Sequence, residues 1–212
     1  TPVPVANIQP EMIETQLGMQ EFPEILKSTP GIYATKQGGA FGDSRVNIRG
    51  FNARNSAVMI NGVPVNDMEN GWVYWSNWAG LSDVTRTMQV QRGLGAARIA
   101  IPSVGGTINV LTKTTDAEKG GNVEASLGNN GYNKTSFTLS SGLTENNWAT
   151  TVSLARTTGD GIVEGTPFES YSYYLNVSKI LNDDHRLALS VFGAPQWHGQ
   201  RSTPLKIDIY KN

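Results

Sequence analysis

Beyond Lys113 the chain alternates with period two. "NVEASL" sets Val123, Ala125 and Leu127 on one face against Asn122, Glu124 and Ser126 on the other, and "NKTSFTLSS" sets Thr135, Phe137 and Leu139 against Lys134, Ser136, Thr138 and Ser140. "NWATTVSLAR", "YSYYLNVSK" and "HRLALSVFG" repeat the scheme, with Trp148, Val152 and Leu154, then Tyr171, Tyr173, Leu175 and Val177, then Leu187, Leu189 and Val191 on the apolar row. This is the signature of an antiparallel sheet with one apolar face. Periodicity alone favours a soluble sandwich. Loop lengths pull the other way: "GLTEN" and "NDD" are short, whereas "TTGDGIVEGTPFE" and the segment after the fifth strand are long, the asymmetry of outer-membrane barrels. The connection "GNNGY" is short and fits that pattern less well. Trp148, Tyr171 and Tyr173 near strand ends suit an aromatic girdle. Five strands cannot close a membrane barrel, which needs at least about 8, so the sheet is either not such a barrel or part of a larger one.

Composition narrows the function classes. The 17 basic residues against 18 acidic ones leave no basic footprint for nucleic acid and no polybasic membrane anchor. Without cysteine, and with only His185 and His198, disulfides, thiolate chemistry and Cys-containing zinc sites are excluded. No apolar run approaches the roughly 20 residues of a spanning helix. A mean hydropathy of −0.31 is still compatible with a barrel, because only alternate residues face lipid. "TPVPVANI" has neither a basic start nor an apolar h-region, so a signal peptide is expected to have been removed or to lie upstream.

The first half follows different rules. "VPVANI" reads as a Pro-bearing edge strand, "QPEMIETQLGM" as a helix with Met12, Ile13 and Leu17 at helical spacing, and "EFPEILKS" as a second short helix. "GIYATK", "RVNIRG", "AVMINGVPV", "TMQVQRG" and "TINVLTK" have the length and residue types of strands. Between them "INGVPVNDMENGWVYWSNWAGL" places Trp72, Tyr74, Trp75 and Trp78 among Asn, Gly and Ser at a spacing that fits neither helix nor strand, so it reads as a loop.

Taken together, "RVNIRGFNARNSAVMINGVPV" and "VTRTMQVQRGLGAARIAIPSVGGTINVLTKT" resemble the plug domain of TonB-dependent outer-membrane receptors. The resemblance rests on Arg49-Gly50, on Asn61-Gly62 ending a strand, on the segment from Arg86 to Arg92, and on the closing "GGTINVLTK", Gly105 to Lys113. It reads as Bacteroidetes-like, and its close differs from that of SusC-type importers. Gln89 stands where the family has an acid and Leu94 where it has a proline, which removes a plug-to-barrel ion pair expected from that acid. The implied fold is an α+β plug domain, a small mixed sheet with short helices over residues 1–115. It is followed over 116–212 by antiparallel β-strands of an incomplete transmembrane β-barrel.

The resemblance implies TonB-dependent transport of an extracellular ligand across the outer membrane, in contact with outer-membrane lipid, with the plug gating the lumen. The energising partner would be the TonB–ExbB–ExbD complex, recruited through a segment upstream of Thr1. A surface lipoprotein is an accessory candidate, and neither nucleic acid nor a cofactor is implied. Carried onto this chain, the ligand-facing loops are Thr35–Ser44 and Asn66–Trp78. They put Lys36, Gln37, Asp43, Asn66, Asp67, Glu69, Trp72, Tyr74, Trp75, Asn77 and Trp78 toward the ligand. The rings have two roles open to them, a floor for ligand or a wedge against the barrel wall. Arg49, Arg86 and Arg92 are the expected plug-to-barrel contacts. Gly50, Gly62, Gly105 and Gly106 read as turns or close approaches.

Other signals are weaker. "RGLGAAR" has Arg98 where a dinucleotide loop needs glycine, the sequons "NKT" and "NVS" fall in expected strands, and Asp183 and Asp184 read as turn formers. No arrangement of Ser, His and acid is legible, so an enzyme is not indicated. Two rival readings remain: a split or secretion-associated outer-membrane module whose barrel another chain completes, and a soluble β-rich binding protein.

Overall fold

The structure, a computed structural model, describes residues 5–17, 20–38, 41–42, 44–93, 102–200 and 208. Strand β1 (Val5–Ile8) leads into helix α1 (Pro10–Leu17), whose first residue is a proline, suited to a position with no intrahelical N–H partner. Ile13 and Leu17, four apart, face the core, whereas Met12 points outward. The second expected helix is a 3₁₀ segment, Phe22–Ser28, opened by a capping box in which the Glu21 N–H donates to the Glu24 carboxylate at 3.0 Å.

Strands β2 (Ile32–Lys36) and β3 (Ser44–Ile48) form a separate hairpin. Strand β4 (Ser56–Ile60) turns directly into β5 (Val63–Pro64), so the run expected as one strand is itself a hairpin. Its turn residues Asn61 and Gly62 both have positive φ, as a two-residue I′ turn requires. Arg49 and Gly50 repeat this between Ile48 and Phe51, which gives the "RG" element a backbone reason. The four-residue helix α2 (Leu81–Val84) delivers the chain into β6 (Thr85–Arg92), followed by β7 (Gly106–Thr112). The plug sheet runs β1-β6-β7-β4-β5, antiparallel except where β7 lies parallel to β4. A Cβ on Gly106 would stand 2.4 Å from the Gln91 carbonyl, so only glycine fits that crossing. Leu26, Ile48, Val84, Met88, Val90, Ile108 and Val110 are fully buried at the centre.

Strands β8 (Gly120–Leu127), β9 (Asn133–Ser140), β10 (Trp148–Gly159), β11 (Phe168–Ile180) and β12 (Arg186–Gly193) form an antiparallel meander. β10 and β11 are longer than their alternation indicates, which shortens the connection between them to residues 160–167, against 141–147 at the opposite end. The expected loop asymmetry is correspondingly weaker. A thirteenth strand, β13 (Gln196–His198), lies in a stretch expected to be irregular. It pairs with Phe168–Ser170 and continues the course of β12 past Pro195, which cannot donate to the ladder.

Burial on this wall is inverted. Thr151 and Asn176 are 1% and 0% exposed, whereas Leu189 and Val123 are 63% and 72% exposed. A soluble sheet would turn those rows the other way. The inward polar row is satisfied by partners: Thr138 with Ser153 at 2.8 Å, Ser140 with Thr151 at 3.0 Å, and Asn176 donating to Ser190 Oγ at 2.9 Å. Trp148 lies on the outer row at one end with the Lys179 amine 4.7 Å from its ring, and Tyr171 lies near the other end with Arg156. The apolar exterior between polar and aromatic ends is that of a transmembrane barrel.

An arginine in place of Leu175, midway along β11 on the outer row, is expected to cost about 2–4 kcal/mol of membrane assembly. It would be seen as loss of the folded, heat-modifiable band of the full-length protein on a gel.

Candidate functional site

The two plug loops meet at the end of the wall that carries 128–132 and 160–167. Phe41 of the first loop stacks on Phe168 at 4.2 Å, with His198 edge-on at 5.9 Å. Gly42 abuts Ser76 of the second loop closely enough that an added Cβ would sit 2.8 Å from it. Asp43 lies outside the described residues. Gln37 is half-buried, and the Lys36 amine is held 3.3 Å from Glu24, whose buried carboxylate also pairs with Lys27.

The second loop is built by its own polar side chains. Asn66 accepts from Val58 N–H at 2.8 Å and donates to the carbonyls of Ser56 and Gly71. Asp67 accepts from the N–H groups of Glu69 and Asn70 at 3.0 and 2.9 Å, and Asn70 accepts from Trp72 N–H at 2.8 Å. These Asx turns set the loop's shape. Asn66 and Asp67, expected to face ligand, are therefore committed to the backbone. Glu69, Tyr74 and Asn77 are exposed, and Asn70 donates to Tyr74 OH at 2.9 Å.

The rings divide. Trp75 is only 5% exposed and packs against Phe22 in the plug core, in place of the expected ligand-facing position. Trp78 stacks on Phe192 of β12 at 5.4 Å and forms the wedge. Beside it Gly80, with φ of 78°, approaches the wall so closely that a Cβ would fall 2.1 Å from Ser172 Oγ. Trp72 is half-buried, with Arg45 and Arg54 guanidinium carbons 4.9 and 4.7 Å from its ring centroid.

None of the three expected arginine contacts reaches a barrel strand among the described residues. Arg49 serves the I′ turn, Arg92 donates to the Pro30 carbonyl at 2.9 Å, and Arg86 pairs with Asp116 in the segment joining plug to wall. Burial opposes ionisation of the Asp116 carboxyl, yet hydrogen bonds from Thr114, with Arg86 alongside, outweigh it and hold the group below its ordinary range.

The plug is fastened by residues the sequence reading did not single out. Lys134, the lone cation on the inward row of β9, lies 2.6 Å from Asp83 of α2, with side chains 14% and 7% exposed. Tyr174 OH donates to Thr112 Oγ1 at 2.8 Å. A polar cavity of about 290 Å³ lies beside the ion pair, between α1 and the wall, lined by Ile13, Lys113, Asn122, Glu124 and Thr138 among others.

A small mixed-sheet domain seated against the polar inner face of an outward-apolar antiparallel wall defines a plugged outer-membrane barrel. The chain belongs to the family described as the TonB-dependent Receptor Plug Domain, whose match spans residues 1–107. Over 159 residues it is 31% identical to the ferric enterobactin receptor PirA of Pseudomonas aeruginosa, covering 66% of this chain and 21% of that protein. It is 28% identical over 127 residues to the vitamin B12 transporter BtuB of Vibrio vulnificus, covering 60% and 20%. The pyoverdine receptor FpvA of P. aeruginosa, solved with pyoverdine bound, superposes with a TM-score of 0.72 at 20% identity, over 90% of this chain and 27% of that one. The last comparison shows the shared fold. The chain thus spans about a fifth of the length of these curated relatives.

Replacing Asp83 by Asn leaves the Lys134 ammonium buried without its counter-ion, and is expected to cost about 3–5 kcal/mol of plug docking. Limited proteolysis of the plug in the full-length protein would read this loss. Adding Lys134→Gln should restore most of the protection, since no buried charge then stands alone.

Proposed function

We propose that the chain is the plug, residues 1–115, and the opening barrel strands, 116–212, of a TonB-dependent transporter in the outer membrane. The plug gates ligand passage in this reading. The observation that carries it is the inverted wall with a plug fastened to its polar face by Asp83–Lys134 and Trp78–Phe192. Ligand arrives at the loop end, where Trp72, Tyr74, Glu69 and Asn77 remain available. TonB, with ExbB and ExbD, acts from the opposite side on a segment before β1, an edge strand that among the described residues pairs with β6 alone. A Bacteroidetes-type origin and an accessory surface lipoprotein are the finer parts of the proposal, and the close that differs from SusC-type importers speaks against a dedicated lipoprotein lid. The relatives' names speak of a ferric siderophore and of vitamin B12, so either class of cargo suits the family.

Among the described residues β12 and β8 end the sheet with edges that a membrane barrel cannot leave open. Completion by a second chain is the alternative to further strands of the same one. An immunoblot of outer membranes separates the two. A heat-modifiable species several times heavier than 22.9 kDa supports the single-chain transporter, and a native species near that mass sinks it.

Within the full-length protein, Trp72→Ala and Tyr74→Ala are expected to weaken ligand uptake with assembly intact. Trp75→Ala should instead loosen the plug by about 3–5 kcal/mol, as for a buried ring removed from a core. Uptake and heat-modifiability measured side by side distinguish the two classes.

A further inference from the structure

We infer that Arg45, Arg54 and Trp72 form an anion-recognition platform, so that the ligand reaching this plug is a compact molecule with two or more negative charges. The inference rests on the transport reading above and names its substrate class. Arg45 extends from β3 immediately after the first loop, Arg54 comes from the short 3₁₀ turn Ala53–Asn55, and Trp72 belongs to the second loop. Three separate segments therefore converge on one indole, with the guanidinium carbons 4.9 and 4.7 Å from its centroid.

Both arginines are exposed, and among the described residues neither has a carboxylate partner, whereas Lys27, Lys36, Arg86, Lys134 and Arg156 all do. Two like charges held at one ring repel, and the indole quadrupole offsets only part of that repulsion. The guanidinium is a planar fork of N–H donors matched to carboxylate, catecholate or phosphate oxygens. Among the described residues no carboxylate occupies the forks of Arg45 and Arg54, so the neighbouring chemistry leaves their charge unneutralised.

The backbone reinforces the arrangement. Gly71, with φ of 75°, lies against Arg54, where an added Cβ would stand 3.4 Å from the Arg54 Cβ. The Asx turns of Asp67 and Asn70 fix the strand of loop that presents Trp72. The first loop's Gly42 and the second loop's Ser76 touch, and Arg45 follows the first of these loops while Trp72 belongs to the second. A neutral ligand would leave this cation pair unused and would have to displace its water without replacing the hydrogen bonds.

The test uses the full-length receptor in detergent and two probes of similar size. One is a hexadentate iron(III) tris-catecholate carrying three negative charges, the other a neutral iron(III) trihydroxamate. Binding is read by quenching of tryptophan emission at several salt concentrations. The tris-catecholate is expected to bind at least about tenfold more tightly, with a preference that shrinks as salt rises. In Arg45→Gln/Arg54→Gln the two probes should come within about twofold of each other, and Arg45→Lys/Arg54→Lys should keep a preference because the charge remains.

Equal affinity, preference for the neutral probe, binding of neither, or an unchanged preference in the Gln variant overturns the inference. Heat-modifiability of the same preparation separates the levels. A folded barrel that binds without regard to charge sinks the anion platform and leaves the transport reading standing. Absence of a barrel species removes both.

Discussion

A wall whose apolar side faces outward dictates what must lie on its other side. The inward row of β8 to β12 is rich in Ser, Thr and Asn and carries Glu124 and Lys134, and residues as polar as Thr151, Asn176 and Ser178 are almost completely covered. Burying them is tolerable only because each finds a partner, either across the strands or along its own strand. The plug fits that requirement. Its own apolar core is closed off around Ile48, Met88 and Ile108, and it turns hydroxyl, amide and charged groups toward the wall. Tyr174 shows the division within one residue, with its ring buried in the plug core and its hydroxyl bonded to Thr112.

That arrangement explains why the fastening consists of a few discrete contacts. A continuous apolar seam would merge plug and wall into one core. Here one buried ion pair, two ring stacks, the buried Tyr174 with its hydroxyl on Thr112, and a glycine-enabled close approach at Gly80 fix the position of a surface that is otherwise wettable. The family's usual acid at the position of Gln89 is missing, and Gln89 is exposed on the plug sheet. The charge that does reach the wall comes from Asp83, six residues earlier, through the short helix that precedes β6.

Much of the fold could be read along the chain because its signals are local. Period-two alternation marked β8 to β12, and Asn61-Gly62 and Arg49-Gly50 marked turns whose positive φ values only a few residue types accept. Where the reading failed, the deciding interaction was not local. β10 and β11 outrun their alternation because they pair with each other along their whole length, and β13 exists because β11 extends beyond β12 and offers it a partner. Met12 follows helical spacing but faces away from the core, because the helix packs through Ile13 and Leu17. At the site the limit is sharper. Trp72, Trp75 and Trp78 are alike in sequence context, yet one stacks with arginines, one enters the core and one meets the wall. Asp83 and Lys134 are 51 residues apart, and nothing in either neighbourhood names the other.

The split among the tryptophans has a mechanical side. Trp78 and Trp75 occupy one 3₁₀ turn, Trp75–Trp78, so the ring that touches the wall and the ring that enters the plug core are rigidly coupled through four residues. α2 follows after Ala79 and Gly80 and carries Asp83 to Lys134. The loop bearing Trp72 therefore runs without interruption into two of the plug-to-wall contacts, Trp78–Phe192 and Asp83–Lys134. A ligand that shifts Trp72 can act on Trp78 and Asp83 through the backbone itself, with no relay of side chains required. Under the transport reading this gives the loop two roles at once: it meets the ligand at one end and holds the latch at the other. Such coupling needs the latch to be weak enough to yield, which a single ion pair beside a polar cavity allows and a fused apolar core would not.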